Sequence, residues 1–155
     1  VIVFRGVPVM AMMRCATRSS DGKANLHQGA VGVGIDMGSG QSVCAVQHNR
    51  IVSQHPDTQI CFDQLILPRW QQLLELASGC AGMAGLDYLG VDIVLDRLRG
   101  PMLLELNARP GLAIQVANQS GLEHRLLLAA EIADEFQDAG QKIRLARQHF
   151  SSLTK

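Results

Sequence analysis

The segment LGVDIVLDRLRGPMLLELNARPGL, residues 89–112, restricts the fold more than any other part of the chain. It contains two apolar runs, at residues 89–96 and 102–107, with the turn signal RLRGP between them. Two strand-like runs that are separated by a short stretch with Gly and Pro are typical of a β-hairpin. We therefore predict an antiparallel hairpin that turns through residues 97–100.

Three polar residues of this hairpin form a candidate metal site. Alternate residues of a strand share a face, so we expect Glu105 and Asn107 to point the same way while Leu104 and Leu106 pack on the other face. The turn brings Asp92 of the first strand into rough register with Glu105 or Asn107. Two carboxylates and one amide oxygen then converge, and hard oxygen ligands of this kind suit Mg²⁺.

A simpler interpretation of these residues stays open, because polar side chains on the open face of a strand are often only solvated. In strands that are otherwise apolar, such a trio is costly unless a cation or a basic partner balances it. We expect Asp96, which is close to Arg97 and Arg99, to form a surface ion pair rather than to bind a metal.

The remaining elements follow from apolar periodicity. We predict a hairpin from residues 1–4 and 7–13 and strands at residues 30–36 and 41–47. A helix is predicted with Pro68 in its first turn and an apolar stripe from Trp70 to Ala84. A short helix at residues 113–118 and a helix at residues 122–136 follow. Residues 15–29 and 55–64 read as long polar loops. The order predicts an α+β fold, with an antiparallel sheet of hairpins covered by helices.

Composition excludes several classes of protein. The chain has 155 residues, 47% of them hydrophobic, which suits a single domain with a core. Its formal net charge of +0 argues against a binder of the nucleic-acid backbone, because that affinity depends on neutralising many phosphates. The longest apolar stretches, near residues 7–13 and 91–95, are far shorter than a bilayer span requires, so we expect no membrane association.

The cysteines and the first residues bear on the cellular compartment. Cys15, Cys44, Cys61 and Cys80 are widely spaced and contain no C-x-x-C pair, which argues against a zinc site. They could pair as disulfides, but a chain with this apolar content does not need such cross-links, and we favour four thiols. The opening VIVFRGVPVMAMMR lacks the features of a signal peptide. We therefore expect a cytoplasmic location.

Two motifs in this order resemble the ATP-grasp superfamily. Asp92, the Gly-Pro turn, Glu105-x-Asn107 and the Pro-Gly loop resemble its metal-binding hairpin. The segment RCATRSSDGKANLHQGA, residues 14–30, resembles a stretch of the glutamate-adding ligases in this superfamily. The run HPDTQICFDQLILPRW fits the α-L-glutamate ligase-like, or sugar-transfer-associated, group. The resemblance extends from Val1 to about Phe136.

The resemblance implies a role for each matching residue. Asp92, Glu105 and Asn107 match the residues that hold Mg²⁺, or Mn²⁺ in its place, against the phosphates of ATP, and Arg14 matches a basic residue that can face an acyl phosphate. The ATP- or substrate-binding positions are Asn25, His27, Arg109 and Gly111. Other interpretations remain for three of these, since Asn25 could cap a turn, Arg14 could pair with a surface acid and His27 could be an ordinary loop residue.

The sequence also departs from the family pattern. Ala30 replaces the second glycine of a usual pair, and Arg109 stands where related ligases often have a small residue. Lys23 is the only lysine before Lys142, whereas the family binds ATP phosphates with lysines that precede the part present here. The resemblance thus implies that residues 1–140 are the C-terminal part of a catalytic domain whose N-terminal part is missing, followed by a helical or frayed tail at 141–155.

The function implied by the resemblance is ATP-dependent ligation of a carboxylate to an amine, both of them small molecules, through an acyl phosphate. The chain by itself is then expected to be inactive and to bind Mg-ATP weakly or not at all. Two alternatives from other classes are kept. One is a degenerate ATP-grasp module that binds a nucleotide or a protein partner without turnover, and the other is a small α+β binding domain that does not respond to Mg-ATP.

Overall fold

The computed structural model describes residues 1–152 and confirms the α+β class. Its strands form one sheet in the order β5-β4-β3-β2-β1-β6-β7, and every neighbouring pair is antiparallel. The strands are β1 Ile2–Phe4, β2 Val7–Cys15, β3 Val31–Ile35, β4 Ser42–Gln47, β5 Arg50–Ile51, β6 Tyr88–Asp96 and β7 Gly100–Asn107. Because β1 lies between β2 and β6, it joins the strands of residues 7–51 to the hairpin of residues 88–107 in one sheet.

Four α-helices of residues 1–152 pack on this sheet. They are α1 Trp70–Ala84, α2 Ala113–Asn118, α3 Glu123–Glu135 and α4 Ala139–His149. Helix α1 contacts β1, β6 and β7, helix α2 contacts β2, β3 and β4, and helices α3 and α4 contact β2. The buried residues form a large cluster around β2 and β3 and a smaller one of Val3, Ala77, Cys80, Leu89 and Val91 beneath α1. This small cluster holds the hairpin β6–β7 against the rest of the domain.

Two close approaches fix the backbone near the candidate site. A Cβ atom on Gly34 of β3 would lie 2.2 Å from the carbonyl oxygen of Ala117, so α2 can rest on β3 only because this residue is glycine. A Cβ atom on Gly90 of β6 would lie 2.8 Å from Cβ of Pro110. The loop between β7 and α2 therefore lies directly on β6.

The predicted elements are largely confirmed, and α1 begins later than predicted. Pro68 is not in the first turn, because Arg69 has a left-handed conformation at φ 56° and the helix starts at Trp70. The Nε1 of Trp70 donates a hydrogen bond of 3.0 Å to the carbonyl oxygen of Met37, which sets the start of the helix through tertiary structure. The two-residue strand β5 was not predicted, since two residues carry no periodic signal.

The predicted burial of two leucines is wrong. Leu104 and Leu106 are 64% and 36% exposed, because β7 is the edge strand of the sheet and helix α1, although it contacts β7, leaves these side chains partly open to solvent. The predicted ion pair of Asp96 is also absent among residues 1–152. Its Oδ1 accepts the backbone N–H groups of Leu98 and Arg99 instead, at 2.9 and 2.8 Å. These bonds hold the pKa of Asp96 below its usual value and fix the hairpin turn.

The C-terminal segment begins as a helix that belongs to the core. Ile143, Ala146 and Phe150 are buried in the same cluster as β2 and β3. Asp138 caps α4 by accepting the N–H of Gln141 at 2.8 Å. The last residues of the predicted tail, 153–155, lie outside the described part of the chain. The predicted boundary at residue 140 between the catalytic domain and the tail stays a prediction.

All four cysteines are thiols that form no disulfide. Burial raises the pKa of Cys15, Cys44 and Cys80, which keeps these thiols protonated and unreactive near neutral pH. None of the helices in residues 1–152 combines the length and the apolar character needed to cross a bilayer.

Candidate active site

The hairpin β6–β7 brings the three proposed metal ligands together. Asp92 is directly opposite Glu105, one of the two partners that the sequence left open, and Gly90 is opposite Asn107. The Nδ2 of Asn107 donates hydrogen bonds to Oδ2 of Asp92 at 3.2 Å and to Oε1 of Glu105 at 3.1 Å. The amide group therefore links two carboxylates that would otherwise repel each other.

A basic side chain reaches the same carboxylate from β2. The Nη2 of Arg14 lies 2.7 Å from Oδ2 of Asp92, with side-chain exposures of 37% and 21%. Arg14 therefore pairs with an acid, as one interpretation of the sequence allowed, and this acid, Asp92, lines the cavity. β1 is only three residues long and does not extend between the two strands at this level, so the guanidinium can cross the space.

The loop from β2 to β3 supplies the next two predicted residues. Asn25 and His27 lie at a 3₁₀ helix, Leu26–Gln28, and Oδ1 of Asn25 accepts the backbone N–H of His27 at 3.0 Å. Asn25 therefore has the capping role that the sequence left open. The loop is anchored through the carbonyl oxygen of Gly29, which accepts from Oγ1 of Thr17 at 2.9 Å and from Nε2 of Gln47 at 2.7 Å.

The last two predicted residues belong to the loop that follows β7. Arg109 and Gly111 flank Pro110, which contacts Gly90, and both are exposed at the mouth of the site. Helix α2 begins only at Ala113 and has six residues. Its dipole is correspondingly small, so any attraction of an anion to this loop must come mainly from the guanidinium of Arg109.

All eight residues singled out from the sequence line one cavity of about 320 Å³. They are Arg14, Asn25, His27, Asp92, Glu105, Asn107, Arg109 and Gly111. The lining also includes residues that sequence reasoning missed: Val1, Ile2, Met12, Leu26, Gly90, Pro110, Ala113 and Ile114. Of these, Met12 could have been found, because it is two residues before Arg14 on the same strand and so shares its face.

The charges of the cavity are nearly balanced. Asp92 and Glu105 face Arg14 and Arg109. The cavity therefore combines a carboxylate pair with basic groups on its rim, an arrangement that suits a ligand carrying both a cation and anionic groups.

The donor set fits a hard divalent cation. Nowhere in residues 1–152 do three His, Cys, Asp or Glu side chains come together to hold a metal, so a cation here would need the amide oxygen of Asn107 as its third protein ligand. Two carboxylate oxygens and one amide oxygen are ligands that Mg²⁺ accepts when water and phosphate complete its shell. In the present arrangement the amide nitrogen faces the carboxylates, so the amide must turn over to present its oxygen.

Comparison with known proteins identifies the family of the chain. Neither the curated proteins nor the solved structures contain a match to the chain. The family model described as sugar-transfer associated ATP-grasp matches residues 1–131, which include every residue of the cavity. On the strength of a match over most of its length, the chain belongs to the sugar-transfer-associated ATP-grasp family.

Proposed function

We propose that this chain carries the metal- and triphosphate-binding part of an ATP-dependent ligase that joins a small-molecule carboxylate to an amine. Membership of the ATP-grasp family supports an ATP-binding enzyme of the ligase kind. The main support for the ligase reaction is that all eight candidate residues, from four separate segments, line one cavity. A carboxylate pair beside two guanidinium groups is suited to a metal-bound polyphosphate and an acidic substrate together.

The proposed reaction has two steps. An oxygen of the substrate carboxylate attacks the γ-phosphorus of ATP, the bond to the β-γ bridging oxygen breaks, and an acyl phosphate and ADP form. The amine then attacks the acyl carbon, and the tetrahedral oxyanion collapses with loss of inorganic phosphate and a proton to give the amide. Glutamate as one of the substrates is part of this proposal and derives from the family resemblance.

Each residue has a defined task in this scheme. Asp92, Glu105 and Asn107 would hold Mg²⁺, or Mn²⁺, which when bound neutralises charge on the phosphoryl oxygens. Arg14 contacts Asp92 in this structure. When the substrates are bound, its guanidinium would leave Asp92 and bind the acyl phosphate and the oxyanion, whose negative charge it would stabilise. Arg109 and the backbone at Gly111 would bind the substrate carboxylate, and Asn25 and His27 would lie along the triphosphate.

The test uses the chain, and also the chain together with any segment that its gene encodes ahead of Val1. The protein is incubated with ATP, Mg²⁺ and a panel of amino acids that includes glutamate, and hydroxylamine traps any acyl phosphate as a hydroxamate. We expect ADP release that depends on the carboxylate, and we expect Glu105→Gln to lower it roughly 100-fold or more. Glu131→Gln, at an exposed position of α3, is the matched control and should retain activity.

The same assay distinguishes the alternatives. Nucleotide binding without ADP release for any carboxylate, in a protein that is folded, would indicate a degenerate module. Full activity of the Glu105→Gln variant would show that Glu105 is not a ligand of the metal. A cytoplasmic location is proposed along with the function and is checked by fractionating the cells in which the gene is expressed.

A further inference from the structure

The run HPDTQICFDQ, residues 55–64, has no part in the proposed reaction, but the structure gives it a defined place. Most of it belongs to a short hairpin that the N–H of Phe62 closes by donating to the carbonyl oxygen of Ser53 at 2.9 Å. Phe62 is buried in the same cluster as β2 and β3, and its carbonyl oxygen accepts from Oγ of Ser42 on β4. The hairpin is therefore anchored to the core. We call residues 53–62 the clamp hairpin.

The turn of the clamp hairpin contacts the loop from β2 to β3 through two hydrogen bonds. Nε2 of His55 lies 2.9 Å from the carbonyl oxygen of Ala16. Oδ2 of Asp57 accepts the backbone N–H of Arg18 at 2.8 Å. These two backbone groups lie on either side of Thr17, which is buried. The clamp hairpin therefore holds the loop close to the point where it leaves β2.

The hydrogen bonds of His55 determine which of its nitrogen atoms carries the proton. Nδ1 accepts the backbone N–H groups of Asp57 and Thr58, both at 3.3 Å. In the neutral imidazole the proton then belongs to Nε2, which donates it to the carbonyl oxygen of Ala16. The ring also packs edge-on against Phe62, with the centroids 6.3 Å apart. His55 thus links the clamp hairpin to the loop through both of its nitrogen atoms.

Thr17 connects this contact to the part of the loop that lines the cavity. Its Oγ1 donates to the carbonyl oxygen of Gly29 at 2.9 Å, and Gly29 ends the 3₁₀ helix of the loop. The N–H of Gly29 donates to the carbonyl oxygen of Leu26 at 3.2 Å. Asn25 caps this helix, His27 belongs to it, and both line the cavity. A continuous series of hydrogen bonds therefore leads from the clamp hairpin to the cavity wall.

We propose that His55 and Asp57 are positioning residues, which hold the loop from β2 to β3 in the conformation that places Asn25 and His27 in the cavity wall. Both act through the loop, because they bind its backbone at residues 16 and 18. The proposal rests on the proposed function, in which Asn25 and His27 lie along the triphosphate. A wall that is ordered before the ligand arrives lowers the entropic cost of binding.

The first measurement is amide exchange of the ligand-free chain. Asp57→Ala removes the acceptor of the Arg18 N–H, so exchange in residues 17–29 should become roughly tenfold faster, the effect of losing one hydrogen bond to a charged group. Exchange in the hairpin β6–β7 should stay unchanged, whereas a general loss of stability would accelerate both regions. Asp57→Asn keeps an acceptor oxygen and should restore most of the protection. Asp63→Ala, at an exposed position of the same run, is the matched control.

His55→Phe tests the second contact. It keeps a ring against Phe62 and removes both nitrogen atoms, so residues 17–29 should again exchange faster. His55→Gln keeps an N–H donor for Ala16 and should have a smaller effect. His124→Phe, at an exposed position of α3, is the control and should leave the loop unchanged.

The second measurement separates binding from chemistry in the ADP-release assay. Asp57→Ala and His55→Phe should raise the KM for ATP about tenfold and change kcat less than about twofold, because they weaken the order of the binding wall. The affinity for Mn²⁺ should not change, because its proposed ligands lie on the hairpin β6–β7.

Equal acceleration of exchange in the loop and in the hairpin β6–β7, or no acceleration in either, would overturn the proposal. A normal KM in a variant whose loop exchanges faster would also overturn it. A wild-type protein that releases no ADP contradicts the proposed function instead. The exchange measurement needs no ligand, so it still decides whether His55 and Asp57 position the loop.

Discussion

Nη2 of Arg14 and Oδ2 of Asp92 lie 2.7 Å apart, so a guanidinium group from β2 contacts a carboxylate of the proposed metal site. A divalent cation that binds at Asp92 must share the carboxylate with this positive charge or displace it. The pair is partly exposed, and ion pairs of this kind contribute only about 0–1 kcal/mol to stability. Its effect should therefore be seen in ligand binding more than in folding.

The first prediction concerns this competition. Arg14→Met should raise the affinity for Mn²⁺ about fivefold, because it removes a repulsion of about 1 kcal/mol, and should leave the thermal midpoint nearly unchanged. Electron paramagnetic resonance of free Mn²⁺ measures the affinity. Arg97→Met, at the exposed turn after β6, is the matched control. A lower or unchanged affinity in Arg14→Met would show that the guanidinium does not compete with the cation.

The second prediction tests the amide that links the two carboxylates. Asn107→Asp replaces two hydrogen bonds by like-charge repulsion, so the variant should unfold several degrees below the wild type in EDTA. Saturating Mg²⁺ should restore much of this loss, because three carboxylates bind the ion more tightly than two. Thermal scans with EDTA and with Mg²⁺ measure both effects. A loss of stability that Mg²⁺ leaves unchanged would argue against a cation at this position.

The third prediction concerns a buried carboxylate far from the cavity. Burial alone would raise the pKa of Asp36, but hydrogen bonds from the backbone of Ser152, from Ser39 and from Ser151 hold it below its usual value. Oδ2 of Asp36 accepts both the N–H and the Oγ–H of Ser39, at 2.8 and 2.7 Å. The carboxylate thus ties the β3–β4 turn to the residues that follow α4.

A lowered pKa in the folded state means that the unfolded state binds the proton more tightly. The stabilisation from Asp36 is therefore complete above the ordinary carboxyl pKa of about 4 and is lost as the pH falls through the folded value. Asp36→Asn should lower stability at pH 7 by about 2 kcal/mol and should weaken the decline between pH 5 and 3. Asp63→Asn, which is exposed, is the control. An unchanged acid limb in Asp36→Asn would contradict this assignment.

The fourth prediction compares two glycines. Gly34→Ala should destabilise the fold by about 1–3 kcal/mol, because the new Cβ would meet the Ala117 carbonyl and push α2 from the sheet. Gly79→Ala, inside α1 with no atom within 4 Å of its Cβ position, should instead stabilise by about 0.5–1 kcal/mol. Urea unfolding measures both. Equal effects of the two substitutions would show that α2 does not depend on close contact with β3.

The hairpin could be predicted because it depends on residues that are close together in the sequence. A turn at residues 97–100 and alternation along two strands predict the hairpin and bring Asp92 near Glu105 or Asn107. The register shift between Asp92 and Ile93, which places Asp92 opposite Glu105, could not be counted from the turn. The approach of Arg14 could not be predicted from spacing, since it depends on β1 entering between β2 and β6 and ending after three residues. Only the family resemblance placed Arg14 near the reaction centre.

Three predictions from the sequence are wrong at places where contacts with neighbouring elements determine the structure. Leu104 and Leu106 follow the pattern of a buried face, but β7 is an edge strand and helix coverage does not reach them fully. Pro68 is a good first-turn residue, yet α1 begins at Trp70, whose indole is bound to Met37. Asp96 has arginines nearby, but the turn offers two backbone N–H groups at shorter range.

The cavity draws its walls from two parts of the chain that are distant in sequence, with residues 14–27 on one side and 90–111 on the other. In the sheet formed by residues 1–152, the three-residue strand β1 connects these two parts. A ligand that touches both sides acts as a further link between them, and binding to the folded state alone stabilises it by mass action. Occupancy of the site should therefore protect the whole domain from proteolysis, which makes protease resistance a practical screen for ligands of the cavity.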